Sequence, residues 1–500
     1  MRALLILTSL LGLCFQSLAA EALAQNAGDW SRSIVLIEST RKQYDYLQPW
    51  SKRMKSGQKT GIVVGEREIL TTADELYDRT LIRLQKGGRG KWWIGDVTWI
   101  DYHANLALVT TTDESFWRDL TPAKLDSAIP SEASLQILRW REGKLENRKA
   151  EFTQYSVKEG RLASVSHVQL ETSTEMRGNG WGEPLVANSH VVGIVSAQDG
   201  STCTAMPASF VTSILEARKK GTYRGLGYFD FYWQPGENPA SLAAVKLEGE
   251  PRGVLVIDVP AKLDGPPPIL KPRDVILDID GFAIDTDGDY TDPEFGHLML
   301  ENLSTRRKWA GDDLKIKISR DGKILDVTYK LPKFEYNNSL LPDAVFDQEP
   351  EYLIVGGLVF QPLTDTFLQS WGPEWKRRSP FRLYYFNNEA RTKEQPSRVV
   401  LSQVLPDEIN IGYQEIKYLV LEKFNGQPVR KLADIRTALE KSTTGFHIIE
   451  CFQSDSLRRI VIEAGPKERQ ATQRVLQRYG IAEEFYIASP DAKPASAGAN

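Results

Sequence analysis

Cysteine is scarce in this chain of 500 residues, which excludes a fold held together by disulfide bonds. The sequence contains three cysteines, and Cys14 lies in a leader that we expect to be removed. Cys203 and Cys451 then remain, far apart in the sequence, and do not make a disulfide framework. We expect both to be small buried hydrophobic residues in separate domains. A Cys203 nucleophile is disfavoured because no histidine stands near it in the sequence.

An excess of positive charge is also missing. The formal net charge is -4 and the pI is about 5.9, so there is no basic field for nucleic acid and we expect no such partner. The short basic runs 306–308 and 376–378 are interpreted as ordinary solvated faces or loops. Beyond the N-terminus no segment is apolar over the about 20 residues that a spanning helix needs. We therefore expect no membrane span.

Metal and cofactor motifs are absent as well. The run DTDGDYTD holds Asp285, Asp287 and Asp289 and looks at first like a calcium loop. An EF-hand would place Gly after the third acid and Glu at the twelfth position, where this chain has Tyr290 and Gly296. We interpret the run, which ends at Asp292, as an acidic surface loop. No metal and no cofactor are predicted.

The N-terminus is typical of an export signal. Arg2 precedes the apolar run from Ala3 to Phe15, and ALA at 22–24 offers small residues at the spacing that signal peptidase reads. SLA at 17–19 is a second candidate cleavage site. A lipoprotein signal is disfavoured because Leu13 precedes Cys14, where a small residue would be needed. Residues 1–24 are thus a predicted signal peptide, and the mature protein is predicted to be exported, periplasmic or extracellular.

The remaining length predicts several domains. Residues 30–221 contain many short β segments, among them SIVLIES, TGIVVG, NLALVTT and HVVGIVSA, separated by Gly, Asp and Lys turns. Regular short strands without intervening helices predict an all-β barrel or sandwich. The segment PASFVTSILEARKKG then predicts a helix that stops at Gly221.

Two further units follow the β-rich region. Residues 222–333 predict a strand, a short helix, a strand pair, a second helix and two closing strands. Residues 337–464 repeat part of this pattern, since FNGQPV echoes IDGFAI and each is followed by a stretch of helical periodicity. Residues 465–500 predict a C-terminal helix and a tail, SPDAKPASAGAN, that is disordered by composition.

Five segments together resemble the Deg/HtrA family, in particular its plant-type branch. They are ILTTADEL, NLALV, GNGWGEPLV, YLIVGGLVF and VVLSQVLPDEINIGY. The resemblance implies a mainly β chain: a trypsin-like double β-barrel at 30–221, followed by two PDZ-like α+β domains at 222–333 and 337–464. It also implies polypeptides or protein C-termini as partners, and a homo-oligomer that can mix with active Deg paralogues.

The resemblance assigns the three catalytic positions to residues that cannot form a triad. The general-base position is Asp74, the orienting carboxylate position is Asn105 and the nucleophile position is Trp181. A triad needs a nucleophilic oxygen, an imidazole and a carboxylate that orients it. The oxyanion-hole region is altered too, because Asn179 and Glu183 replace smaller residues. No catalytic residue is predicted, and the leading hypothesis is a pseudoprotease that serves as scaffold, adaptor or chaperone.

Alternatives remain open at this stage. Trp181 either fills the cleft as a simple plug or forms a stacking platform for a peptide or ligand. The chain could be a working endopeptidase with displaced or partner-activated residues, although His103, the one histidine near the degenerate site, has no obvious serine partner. It could also be a structural subunit of a mixed oligomer.

The peptide-binding site is predicted in the first PDZ-like unit. Gly225, Leu226, Gly227 and Tyr228 resemble the Gly-Leu-Gly-Phe loop whose backbone N–H groups hold a terminal carboxylate. The alternative interpretation is that these four residues form an ordinary turn between two domains. In the second unit only the pair at 356–357 is a candidate for such a loop, and that unit could serve packing or oligomerisation instead.

Overall fold

The computed structural model describes residues 30–126, 134–162, 164–260, 263, 266–336, 338–440, 445–452 and 459–488. The predicted signal peptide and the predicted disordered tail from residue 489 lie outside these residues. Within the described part, every helix is too short or too polar to cross a bilayer.

Six strands close into a first barrel in the order β1-β2-β3-β6-β5-β4. Their bounds are β1 Ile34–Tyr44, β2 Lys52–Gly65, β3 Glu68–Thr71, β4 Arg79–Lys86, β5 Trp92–Asp101 and β6 Leu106–Thr110. The short helix α1 (Glu114–Trp117) follows, capped by the Asp113 side chain. Inward-facing Val35, Ile37, Leu84 and Val109 are fully buried and form the barrel core.

A second barrel has the order β10-β11-β12-β9-β8-β7. Its strands are β7 Leu135–Arg141, β8 Lys144–Glu159, β9 Ser166–Thr174, β10 Pro184–Ala187, β11 His190–Asp199 and β12 Thr202–Pro207, and helix α2 (Ala208–Lys219) closes it. Ile34, Leu70 and Leu106 of the first barrel join Val186 and Ile194 of the second in one buried cluster. Apolar side chains of the two barrels therefore pack against each other, and the burial of this apolar area stabilises the contact between the barrels.

The predicted mainly β fold with a double barrel is confirmed. The helix expected from PASFVTSILEARKKG is α2, and Gly221 beyond it has a φ of 67°. Strands β5, β8, β9, β10 and β12 were not predicted. The sequence of β8 alternates weakly between polar and apolar residues, because much of this strand is exposed, so its period-2 signal is lost.

The first PDZ-like unit has the sheet order β13-β14-β15-β19-β20, with β16 paired to β15, beside a two-stranded hairpin. The elements are β13 Tyr232–Pro235, α3 Pro239–Ala244, β14 Val254–Asp258, β15 Val275–Ile279, β16 Phe282–Ala283, the hairpin β17 Asp289–Asp292 and β18 Gly296–Met299, a 3-10 helix Leu300–Ser304, β19 Asp313–Arg320 and β20 Lys323–Lys330.

The short helix predicted after RGVLVIDV is not found among the described residues between β14 and β15, and α3 lies before β14 instead. The second helix predicted for this unit is wrong as well. The hairpin β17–β18 and the 3-10 helix stand in its place. Gly288 and Gly296 have φ values of 89° and 79°, a left-handed conformation that favours glycine and ends regular structure. Pro293 between the two strands cannot donate an N–H to a helix either.

The last unit is built on the strand order β27-β26-β24-β23-β22-β21-β28, with β25 paired to β24. The strands are β21 Tyr352–Val355, β22 Leu358–Pro362, β23 Val399–Val404, β24 Leu419–Phe424, β25 Gln427–Pro428, β26 Phe446–Cys451, β27 Arg459–Glu463 and β28 Phe485–Tyr486. The α-helices are α4 Asp365–Leu368, α5 Trp375–Arg378, α6 Phe381–Tyr384, α7 Leu432–Glu440 and α8 Pro466–Tyr479, with 3-10 turns at Gln369–Trp371, Tyr385–Asn388 and Glu408–Asn410. Helix α7 follows FNGQPV and α8 lies after residue 464, as predicted.

The start of the second PDZ-like unit contacts the first barrel through partly buried carboxylates. The N–H of Asp78 donates to Asp347 Oδ1 over 2.8 Å, and the Tyr102 hydroxyl donates to Asp347 Oδ2 over 2.5 Å. Burial, followed by the Asp347 charge, raises the pKa of Asp78 to about 7. Burial and the Asp343 charge raise the pKa of Asp365 to about 7 as well.

These raised pKa values predict that the protein loses stability between pH 4 and pH 7. Native Asp78 keeps its proton up to about pH 7, whereas an unfolded aspartate releases it at its ordinary pKa of about 3.8. The native state thus binds more protons in this window, and the free energy of unfolding falls as the pH rises. We expect about 1–3 kcal/mol from Asp78, measured by urea unfolding at several pH values.

The Asp78→Asn variant, which cannot titrate, should show a flatter pH profile. Asp258→Asn, at an exposed position, is the matched control and should keep the wild-type profile. An unchanged slope in Asp78→Asn would contradict this assignment.

Candidate functional site

The three positions assigned to the triad lie close together where the barrels meet. Asp74 follows β3 and Asn105 precedes β6, and both side chains are buried. The N–H of Asp74 donates to Asn105 Oδ1 over 3.0 Å. Trp181 lies in the turn before β10, and its carbonyl accepts the Thr60 N–H of β2 over 2.9 Å. The site thus combines an amide, a carboxylate and an indole where a triad would offer an oxygen nucleophile and an imidazole.

Arg161 connects two of these positions, and sequence reasoning missed it. Its Nη1 lies 2.9 Å from Asp74 Oδ2, and its guanidinium carbon lies 4.7 Å from the centre of the Trp181 ring. The arginine is therefore both an ion-pair partner and a cation–π partner. It lies between β8 and β9 without any motif around it, so the sequence carried no signal for this role.

A buried lysine lies beneath Asp74. Lys59 Nζ donates to the carbonyl oxygens of Thr72 and Asp74 over 2.6 Å and 2.5 Å, and to Thr72 Oγ1 over 2.9 Å. Burial lowers the pKa of Lys59 to about 7, against the opposing charges of Asp74 and Glu183. With 3% of its surface exposed, this amine fixes the loop after β3 and has no path to a substrate.

The backbone donors of the oxyanion-hole region are already occupied by side chains. Glu183 Oε2 accepts the N–H groups of Gly180 and Trp181 over 2.9 Å and 2.8 Å. The N–H of Asn179 donates to Gln198 Oε1 over 2.8 Å. Glu183 is 2% exposed. A carboxyl group of the chain itself therefore sits where these donors would meet a developing oxyanion.

Two opposing effects set the protonation of Glu183. Burial raises its pKa, and the N–H groups of Trp181 and Gly180 work against that rise because they stabilise the charged form. The net direction is upward. The group consequently titrates at a higher pH than an exposed glutamate.

Two glycines shape the turn that carries Trp181. Gly182 has a φ of 92°, and a Cβ there would lie 2.6 Å from the Thr60 carbonyl oxygen. Gly180 has a φ of 106°, and a Cβ there would lie 2.9 Å from Ala197 Cα. Both positions combine a left-handed backbone with close approach, so only glycine fits. The conformation of the turn that holds Trp181 therefore depends on these two glycines.

Trp181 borders an open cleft of about 710 Å³. The cleft is also lined by Asn179, by 196–198 of β11 and by the cations Lys158, Arg161 and Arg177. Beyond residue 195, β11 pairs only with β12 among the described strands. The turn approaches this part of β11 closely, since a Cβ on Gly180 would lie 2.9 Å from Ala197 Cα.

The alternative nucleophile and base lie in unsuitable surroundings. The His103 ring stacks on Tyr336 at 4.3 Å and meets Phe334 edge-on at 5.3 Å, and burial lowers its pKa. Cys203 is fully buried, and burial raises the pKa of its thiol to about 11. Burial likewise raises the pKa of Cys451 to about 12. An activated cysteine needs an exposed, depressed-pKa thiol, which neither cysteine offers.

The predicted carboxylate loop is partly tied into the first PDZ-like unit. Leu226 forms a β-bridge with Trp309 and is 2% exposed, and Gly227 forms one with Lys333. The N–H of Tyr228 donates to the Pro332 carbonyl over 3.3 Å, so this donor is already used. Gly225 has a φ of 94°. Peptide binding by these four residues stays a prediction.

Strand β13, just after this loop, lies at the edge of its sheet. It pairs with β14 on one side, and at its end the N–H of Gly236 donates to the Thr286 carbonyl over 2.8 Å. An edge strand next to a glycine loop is the arrangement that β-strand addition requires.

The second PDZ-like unit differs at the corresponding place. Strand β22, after the glycines at 356 and 357, is paired on both sides, with β21 and β23. The N–H of Gly356 donates to Thr472 Oγ1 of α8 over 2.8 Å, and its carbonyl accepts Asn410 Nδ2 over 2.8 Å. This candidate loop is therefore satisfied from within the unit.

The acidic run at 285–292 is organised by its own backbone. Asp285 Oδ1 accepts the N–H groups of Asp287 and Asp289 over 2.9 Å and 2.8 Å, and Asp292 pairs with Arg306 over 2.6 Å. Across the described residues, no group of three or more His, Cys, Asp or Glu side chains is placed to hold a metal ion.

The chain is similar in sequence to a known domain family and to Do-like proteases. The PDZ domain family matches residues 341–486. Protease Do-like 2, chloroplastic, of Arabidopsis thaliana is 24% identical over 472 residues, which cover 90% of this chain and 74% of that protein. Protease Do-like 4, mitochondrial, of the same organism is 24% identical over 440 residues, covering 85% of this chain and 80% of the relative.

Solved structures of HtrA-type proteases also match. The structure titled "HtrA-type protease AlgW with decapeptide" aligns with a TM-score of 0.48 at 14% identity, over 62% of this chain and 98% of that one. A structure of the serine endoprotease from Yersinia pestis aligns with a TM-score of 0.41.

Proposed function

We propose that this chain, which belongs to the Deg/HtrA family, binds polypeptides without hydrolysing them. Glu183 carries the proposal: a buried carboxyl group of the chain accepts the N–H groups of Gly180 and Trp181. Hydrolysis of a peptide bond needs such donors free for the oxyanion, and a negative charge there has the wrong sign.

The neighbouring positions support the same proposal. Trp181 has no nucleophilic atom, and Asp74 is paired with Arg161 at 2.9 Å. A carboxylate held by a guanidinium is a poor base for a hydroxyl group. The Arg161–Trp181 stack gives the cleft a fixed flat surface, which favours the stacking-platform interpretation of Trp181 over a simple plug.

The working-endopeptidase alternative is tested with an active-serine probe. We expect the purified mature chain to remain unlabelled by a fluorophosphonate, with an active Deg protease labelled in parallel. Labelling at one serine, mapped by mass spectrometry, would show that the active serine lies at another position in the chain and would contradict the proposal.

Free peptide C-termini are the expected ligands of the first PDZ-like unit. We expect the N–H groups of the Gly225 loop other than that of Tyr228, which donates to Pro332, to hold the carboxylate, and the edge of β13 to pair with the peptide. We expect apolar C-terminal peptides to bind with roughly micromolar Kd, because one short strand buries little area. Fluorescence anisotropy with labelled peptides measures this.

The matched control is the same peptide with an amidated C-terminus. Amidation removes the negative charge and should weaken binding at least about tenfold, since a charge-assisted hydrogen bond contributes more than a neutral one. Equal affinity for the two forms would refute the carboxylate loop. Binding would then be assigned to the cleft beside Trp181.

Export is part of the proposal. We propose that residues 1–24 are removed and that the protein acts outside the cytoplasm as scaffold, adaptor or chaperone, in homo-oligomers or mixed with active paralogues. Intact-mass measurement on protein from its native source tests the removal. A retained Met1 would refute it, and a pull-down of the mature chain identifies the partners.

A further inference from the structure

One corner of the last unit exposes aromatic rings among cations. It is formed by α5, α6 and the residue after α6, and none of its residues borders the cleft beside Trp181. We call it the basic–aromatic corner, and its members are Lys376, Arg377, Arg378, Phe381, Arg382 and Tyr385. Phe381 is 76% exposed and Tyr385 is 49% exposed, which for large hydrophobic side chains calls for an explanation.

Buried side chains anchor the segment that carries the basic–aromatic corner. Leu383 is fully buried and Phe386 is 5% exposed, so α6 is anchored in the core by its other face. The Phe386 ring packs against Phe452 at 5.4 Å, and Arg398 lies over both rings. Phe381 and Tyr385 then project together, with ring centres 6.2 Å apart. Their exposure is thus imposed by the fold and does not belong to a loose loop.

Charge accumulates at the same place. Residues 374–385 contain four cationic side chains and one acid, Glu374, in a chain whose net charge is -4. Glu374 lies 2.5 Å from Arg377 and 3.6 Å from Arg378. Arg382 has no ion-pair partner among the described residues. Asp343 and Asp365 lie close enough to Lys376 to interact with its charge, so the positive excess beside the exposed rings comes mainly from Arg377, Arg378 and Arg382.

We propose that the basic–aromatic corner binds the surface of an anionic lipid bilayer. Aromatic rings are favoured at the depth of lipid headgroups, and each Lys or Arg near the surface adds electrostatic attraction to anionic lipids. Its residues line neither the cleft nor the cavities of about 660 and 330 Å³ between the units, and the exposed rings of Phe381 and Tyr385 project from the surface. A projecting phenyl ring suits a soft interface that it can enter.

Two other occupants fit this surface less well. A second copy of the chain, bound about a twofold axis, would place the four cations against the same four cations. An acidic peptide would bind best in a groove with pockets for its alternate side chains, and the described residues of the corner form no such groove. The lipid surface alone uses the charge and the projecting rings together.

The test measures partition of the mature full-length chain into vesicles. Phosphatidylcholine vesicles with and without phosphatidylglycerol are sedimented with the protein at low salt. We expect binding to the anionic vesicles only, weakened by added salt because surface charges are screened. Arg377→Gln with Arg382→Gln should lower the partition coefficient about tenfold, and Phe381→Ser with Tyr385→Ser by a similar factor.

Matched controls keep the test specific. Lys144→Gln with Lys323→Gln makes the same charge change at exposed positions elsewhere, and Ile411→Ser removes a side chain that is 72% exposed. Both should bind vesicles like the wild type. All these sites are exposed, so urea unfolding midpoints should stay unchanged and confirm folding.

Four outcomes would overturn the proposal. The first is equal binding to neutral and anionic vesicles, and the second is wild-type binding by the corner variants. The third is that the protein binds single-stranded DNA or an acidic polypeptide but not vesicles, and that the corner variants lose this binding. That result would assign the corner to a soluble polyanion. The fourth is self-association lost in the Phe381 variant, which would assign it to a second copy. Each result is independent of whether the cleft hydrolyses peptides.

Discussion

The Trp181→Ser variant is expected to cleave casein no faster than the wild type, which itself should show no cleavage. The new hydroxyl would face Asp74, which is held by Arg161 at 2.9 Å, and not an imidazole. Nothing suitably basic could then remove its proton at neutral pH. The Gly180 and Trp181 N–H groups would still donate to Glu183.

Restoring the three triad residue types should not suffice either. Adding Asp74→His and Asn105→Asp supplies the base and its orienting carboxylate. The donors remain occupied, however, and losing one oxyanion donor alone can cost about 10²–10³ in rate. We expect detectable cleavage only when Asn179→Gly and Glu183→Gly are added to the three changes.

The matched control is the fivefold variant with Trp181→Ala in place of Trp181→Ser. It shares every structural change and lacks only the nucleophile, so residual cleavage in it would reveal a contaminating protease. Robust cleavage by the wild type would falsify the proposed function. Robust cleavage by the single Trp181→Ser variant would reveal a base other than residue 74.

The barrel architecture could be predicted because its signals are local. Short β-branched segments between turns, and a helix that ends near Gly221, predict an all-β barrel or sandwich without any long-range information, and the family resemblance narrows this to a double barrel. The hairpin at 289–299 could not be predicted from the sequence. Its apolar residues fit a helical period as well as a β period, and only the conformations of the glycines decide between the two.

The contacts of the site could be predicted only in part. The resemblance located Asp74, Asn105 and Trp181, which the fold brings together. Arg161 and Lys59 were missed because each acts through a partner that is distant in the sequence. The sequence identified Glu183 only as a replacement for a smaller residue in the oxyanion-hole region, whereas the structure shows it accepting two backbone N–H groups. Which groups pair is decided by burial and turn geometry, and a single sequence does not display these.

That pairing makes Glu183 a structural residue, and the Glu183→Ala variant should be strongly destabilised. Truncation leaves the N–H groups of Gly180 and Trp181 buried without their acceptor. Each unsatisfied donor costs about 1–3 kcal/mol, so we expect the free energy of unfolding to fall by about 2–4 kcal/mol. Urea unfolding at neutral pH measures this loss.

Glu183→Gln separates the hydrogen bonds from the charge. Gln keeps a side-chain oxygen that can accept both N–H groups, and burial already disfavours the charged form of Glu183. The Gln variant should therefore lose no more than about 1 kcal/mol, since a neutral acceptor replaces a buried acid of similar shape. A loss in Glu183→Gln as large as in Glu183→Ala would show that the negative charge is required. A negligible loss in both would mean that the N–H groups find other acceptors, and the donors of the turn would then be free to bind an oxyanion.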